Sequence, residues 1–97
     1  MLTFEKVLSA FKEYLAEDTR FEVILASRGY TILEWNSNNR ELESATFCPT
    51  PETMKDTLLG ALAGYLQYSI TLCNRELTDE EREQIEAQVE EMSDSIQ

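Results

Sequence analysis

Eighteen consecutive residues, 57–74, carry no charge in a chain of which 28% is Asp, Glu, Lys or Arg. A run that long must be hidden from water or placed in lipid. Thr57, Gly60, Gly64, Gln67, Ser69, Thr71 and Asn74 make it too polar for a bilayer, no basic cluster flanks it, and Glu76 follows closely; a membrane span is therefore not expected. The start signals are those of a helix in a soluble protein. Thr50 offers a capping hydroxyl, Pro51 suits the first helical position, and Glu52 and Asp56 sit near the positive end of the helix dipole. Met54, Leu58, Ala61, Leu62, Tyr65, Leu66, Ser69, Leu72 and Cys73 recur at helical spacing, with Leu59, Ala63 and Ile70 on other faces. A helix apolar around most of its circumference is expected between two layers. Gly60 and Gly64 share a face, and a glycine inside a helix costs about 1 kcal/mol relative to alanine, so another backbone is expected to pack closely there.

The preceding residues have the pattern of a cover for this helix. Phe4, Val7, Leu8, Phe11, Tyr14 and Leu15 form the apolar stripe of a helix over 3–17 with Thr3 as its cap. Arg20 to Ser27 is rich in β-formers, with Phe21, Val23 and Leu25 alternating onto one face. Arg28-Gly29 supplies a turn, in which Gly29 is free to take a positive φ. Tyr30 to Asn36 follows as a second strand, with Tyr30, Ile32 and Glu34 opposite Thr31, Leu33 and Trp35. After the polar turn 36–39, Glu41 to Cys48 makes a third, alternating Leu42/Ser44/Thr46/Cys48 against Glu43/Ala45/Phe47. Pro49 ends it. The fold class is α+β: a helix, a three-stranded antiparallel meander, the long helix and an acidic C-terminal helix, in one domain spanning 1–97. Both faces of the meander carry more apolar residues than a one-sided sheet needs. The face left uncovered, drawn from Tyr30, Ile32, Leu33, Trp35 and Phe47 according to register, is the candidate contact surface. The pattern leaves open whether Trp35 and Phe47 point at the helices or away from them.

Thr78 with Glu81 three residues on is a capping box for the last helix. Ile85, Val89, Met92 and Ile96 recur along it as a narrow seam, which docks on the domain or pairs with its copy in a second chain. Residues 93–97 are expected to fray. Of the net charge of −11, residues 76–97 carry −8, since nine acidic side chains face only Arg82. The exposed acids Asp79, Glu80, Glu83, Glu86, Glu90 and Glu91 repel phosphate backbones, so direct nucleic-acid binding is not expected, and a basic partner suits them better.

The chain contains no histidine, the usual general base and commonest metal ligand. Glu34, Glu41 and Glu43 lie at strand positions where carboxylates are ordinarily solvated. The cluster Asp79, Glu80, Glu81 and Glu83 lacks the spacing and glycine of a calcium loop. No phosphate-binding glycine loop or nucleophile elbow is present. Tyr30, Trp35 and Arg40 lack the positive groove that single-strand binders couple to their aromatics. Neither catalysis nor a cofactor or metal is expected. Cys48 and Cys73, at the two ends of an unbroken long helix, would stand about 35 Å apart, too far for a disulfide. Residues 1–15 include Glu5 and Glu13 and have helical periodicity where a secretory leader has a continuous apolar core, so a cytoplasmic setting is expected.

Two segments, Phe21-Glu22-Val23-Ile24-Leu25 through Tyr30-Thr31-Ile32-Leu33-Glu34-Trp35, and Cys48-Pro49-Thr50-Pro51-Glu52-Thr53-Met54 leading into Tyr65-Leu66-Gln67-Tyr68, together resemble small accessory proteins of conjugative or phage-like mobile elements in Gram-positive gut bacteria. The resemblance covers roughly residues 20–92. It implies an accessory role in a mobile element and no particular activity. The residues themselves favour a non-catalytic protein-interaction module, with a homodimer as one form. A competing reading is an acidic decoy that occupies the basic nucleic-acid groove of another protein.

Overall fold

A computed structural model describes residues 1–36, 38, 40–72 and 74–96. The element order is α1 (Phe4–Glu17), β1 (Phe21–Ala26), β2 (Gly29–Trp35), β3 (Leu42–Cys48), α2 (Pro51–Thr71) and α3 (Asp79–Ser95), an α+β fold. The strands form one antiparallel sheet in the order β1-β2-β3. All three helices begin on a threonine. Thr3, Thr50 and Thr78 each accept a hydrogen bond from the backbone N–H three residues on, and Glu81 completes the capping box at Thr78.

The core forms where α1 and α2 meet one face of the sheet. Val7, Phe11 and Tyr14 from α1, Ile32 and Cys48 from the sheet, and Met54, Leu58 and Leu62 from α2 are all buried. Tyr30 lies on this covered face, its ring 4.9 Å from that of Phe4. α3 is part of the same core. Ile85 and Ile96 are 8% and 3% exposed, Met92 packs against the core, and Val89 is half-buried. The helix does not fray through 93–96: Ile96 is locked in, and its carbonyl accepts a 3.5 Å hydrogen bond from Lys55 Nζ at the start of α2.

The long helix departs from expectation in two ways. It ends at Thr71, where Leu72 takes the left-handed conformation (φ 51°) and donates its N–H to Tyr68 O. Its stripe is buried or half-buried from Met54 to Leu66, but Ser69 and Leu72 are exposed, and Cys73 lies outside the described residues. It is also covered on fewer sides than its composition suggests. Gly60 and Gly64 are exposed, and a Cβ built on either meets nothing within 4 Å. The close packing expected at these glycines is absent, because α1, α3 and the sheet occupy the other flanks. Gly60→Ala and Gly64→Ala are therefore expected to stabilise the fold by about 0.5–1 kcal/mol each, by restricting the unfolded chain without a steric cost. Urea unfolding of the single variants checks this, and a loss of stability at either would contradict the open flank.

Candidate functional site

A strand presents alternate side chains to opposite faces, and the register assigns each here. Cross-strand partners share a face. Phe21, Val23 and Leu25 of β1 pair with Glu34, Ile32 and Tyr30 of β2, which pair in turn with Ser44, Thr46 and Cys48 of β3. This is the face under the helices. The opposite face is built in rows: Ile24, Thr31 and Phe47; Glu22, Leu33 and Ala45; and Trp35 beside Leu42. No described element covers it. Ile24, Leu42 and Phe47 are 40%, 49% and 49% exposed.

The sequence candidates thus separate. Trp35 and Phe47 stand on the open face. Tyr30 and Ile32 stand on the covered one, because they are in phase with Glu34 and not with Trp35. The seam Ile85, Val89, Met92 and Ile96 is turned inward and offers no surface for a second chain. Two members of the open face escape a plain alternation reading. Ile24 is the one large apolar residue on its side of β1, and its importance emerges only once the register sets it in line with Thr31 and Phe47. Leu42 is out of phase with the assignment that groups it with Ser44 and Thr46. A bulge at Glu34/Trp35 inserts Glu43 between the paired positions, so Leu42 joins Trp35 on the open side.

Trp35 is fixed at two points, one on its indole and one on its backbone. Its Nε1 donates to Glu22 Oε1 at 3.1 Å, and its backbone N–H donates to Arg20 O at 2.7 Å. Two carboxylates belong to this face: Glu22, which accepts the indole hydrogen, and Glu43, which alternates with Ala45 and Phe47 and accepts from Asn36 Nδ2 at 2.9 Å. β3 is exposed from Leu42 through Phe47 and forms a free edge of the sheet. The face can therefore offer rigid apolar area and an aromatic anchor, the materials of protein contact.

Two other features border the sheet. A groove of about 360 Å³ separates α2 from the covered side of β3; Gly60, Gly64, Ser44 and Thr46 line it, and Glu34 within it accepts from Ser44 Oγ at 3.3 Å. At the α1–β1 corner, buried Asp18 accepts from the Tyr14 hydroxyl at 2.7 Å and from Arg20 Nε and Nη2 at 2.9 Å each. Burial raises the Asp18 pKa, but the bonds from Arg20 and Tyr14 and the Arg20 charge outweigh it, and the net shift is downward. Burial and the bond to Asp18 push the Tyr14 hydroxyl up. Glu81 is held down at about 2 by its bidentate bond from Arg75 and the Thr78 N–H. These groups are hydrogen-bonded to one another within the fold.

The acids of α3 point outward: Asp79, Glu80, Glu83, Glu86, Glu90 and Glu91 are all exposed. Among the described residues, no group of three or more potential metal ligands comes together, and no helix is long and apolar enough to cross a membrane. Comparison of the chain with protein-family models, curated proteins and solved structures found no match.

Proposed function

We propose that this protein is a non-catalytic interaction module that engages another protein chain through the open face of its sheet. The observation that carries the reading is the alignment of Ile24, Leu33, Trp35, Leu42 and Phe47 on one uncovered side. Scattered exposed apolar residues are ordinary on protein surfaces, whereas a contiguous patch marks a contact site. The hydrogen-bonded Trp35 adds a rigid, amphipathic side chain of the kind that dominates binding energy. The proposal includes a cytoplasmic setting, where the thiol of buried Cys48 stays reduced. The resemblance of the two segments named above supports an accessory role for a mobile element.

Affinity capture from extract of the source cell, with wild type and two variants, tests the face. Phe47→Asp places a charge in its middle. Leu25→Asp places the same charge at a residue 74% exposed on the opposite side of β1. The expected result is a partner retained by wild type and Leu25→Asp and lost, by at least tenfold, from Phe47→Asp. Equal retention by all three would remove the reading.

The decoy reading has a specific observation of its own. Asp79, Glu83, Glu86 and Glu90 recur at three- and four-residue spacing, so they form one exposed acidic stripe along α3. Truncating the helix cannot test it, because Ile85 and Ile96 belong to the core. Glu83→Gln/Glu86→Gln/Glu90→Gln, which leaves the buried side untouched, is the appropriate variant. A decoy would lose its target in that variant and in rising salt; a face-mediated contact would survive both.

A further inference from the structure

We infer that the free edge of β3 takes up an extended, basic segment of another polypeptide, which adds to the sheet as a fourth strand and lays alternate side chains in the groove beside α2. The site is separate from the open face, so its failure leaves that reading standing. Backbone makes the first argument. Among the described residues β3 has a strand on one side only. Alternate residues along its other side therefore present N–H and C=O groups that an extended backbone satisfies in register. Natural edges are ordinarily blunted by charge, proline, a bulge or a covering element. Here the bulge and Glu43 lie at one end of β3, and Pro49 lies beyond the other. Ser44-Ala45-Thr46-Phe47 between them is uncharged, unbroken and exposed.

The groove makes the second. It leaves about 360 Å³ between the side of the sheet bearing Ser44 and Thr46 and the flank of α2 bearing Gly60 and Gly64, where a Cβ would meet nothing within 4 Å. A strand added about 4.8 Å beyond β3 turns every second side chain towards this helical layer. Phe21, Ile32 and Ala61 add apolar surface to the lining, so the side chains received there are apolar. Charge specifies the rest of the occupant. Glu34 lies in the groove, and Glu43 stands on the open side of β3. Glu52 and Asp56 precede the two glycines at four-residue spacing, on the same exposed flank of α2. Of the groove's described lining residues only Arg20 is basic, and Asp18 holds its guanidinium. The segment that suits this edge therefore alternates apolar with basic residues, the apolar side chains turned to α2 and the cations to the carboxylates.

Fluorescence anisotropy of the full chain with a labelled peptide of about eight residues alternating valine and lysine, a little longer than an average strand, tests the inference. The variant Gly60→Gln/Gly64→Gln fills the groove and replaces poor helix formers with better ones. A thermal midpoint at or above that of wild type shows that it is folded. The expected result is saturable binding to wild type. It should weaken at least tenfold in the groove-filled variant, with the peptide N-methylated at every residue, and with the peptide carrying glutamate for lysine. Amide hydrogen exchange should slow within residues 44–47 on binding. Absence of binding overturns the inference. Equal binding of the N-methylated peptide, which keeps its charges but cannot donate to a strand, also overturns it, because attraction to the acidic surface then accounts for the contact. Equal affinity for the glutamate peptide removes the basic occupant and the inference with it. Undiminished binding by the groove-filled variant, or exchange slowed at β1 or α3 in place of β3, overturns it as well.

Discussion

Gly29→Ala is expected to cost about 3–5 kcal/mol, a large part of the roughly 5–15 kcal/mol that holds a domain of this size together. Gly29 closes the β1–β2 hairpin opposite Ala26 with φ at +146°, a conformation that side chains rarely adopt. Ser27 and Arg28 between them have no positive φ, so the turn is not of the primed kind whose twist matches the strands. The mismatch falls on Gly29. A Cβ at this position would collide with the carbonyl oxygen of Cys48 and approach Pro49 Cα at 3.0 Å. Both are backbone atoms. Cys48 is fully buried and paired with Tyr30, so relief requires the end of β3 to move away from the core. Strain at the special φ contributes about 1–3 kcal/mol, and the displaced strand the rest. Urea denaturation should give a lower midpoint with an unchanged slope. Thermal unfolding should fall by at least about 12 °C, at about 4–8 °C per kcal/mol. A loss below about 1 kcal/mol would mean that the hairpin yields and the collision is not real. The opposite sign expected at Gly60 and Gly64 makes the comparison sharp: one substitution, three glycines, and the outcome decided by φ and by what stands within 4 Å.

Those glycines also show where sequence reading stops. The caps at Thr3, Thr50 and Thr78 are local chemistry, three residues of context each, and they are visible in the string of letters. So are the strands, because alternation in β1 and β2 needs no knowledge of the rest of the chain. A glycine in a helix, however, has the same letter whether another backbone presses on it or water does. Composition suggests a helix buried between two layers with another backbone close to Gly60 and Gly64, whereas the fold covers the flanks carrying Met54, Leu58 and Leu62 and leaves the Gly60–Gly64 flank open.

The candidate surface was half legible for a related reason. Trp35 and Phe47 are large apolar residues in strands, and any reading finds them. Which way they point depends on phase relative to Ile32, the residue the helices bury. Leu42 depends on a bulge, a one-residue irregularity that no periodicity announces. The seam of α3 carried a true amphipathic signal, but a stripe of Ile85, Met92 and Ile96 looks the same whether it meets its own domain or a second chain. The core of this small domain needed those side chains.

Asp18→Ala is expected to cost about 3 kcal/mol, and the cost should depend on pH. Asp18 is 3% exposed and accepts from Tyr14, itself 6% exposed, and from Arg20, whose side chain is 36% exposed. Removing the carboxylate orphans a buried hydroxyl, at about 1–3 kcal/mol. The guanidinium recovers part of its hydration, so its contribution lies well below that of a fully buried pair. Arg20 also presents the carbonyl that receives the Trp35 N–H, so the corner ties the helical layer to the open face. The sign with pH follows from the direction of the shift. Asp18 has a folded pKa below its unfolded value near 3.9. Its stabilisation is therefore complete above that value and disappears as pH falls through the folded pKa. Asp18→Asn, which keeps the shape and removes the charge, isolates this contribution from the general relief of repulsion as a chain of −11 is acidified. The stability gap between wild type and Asp18→Asn should be widest near neutral pH and narrow steadily below about pH 4. A gap of constant size across that range would show that shape, and not the charge held between Tyr14 and Arg20, is what Asp18 supplies.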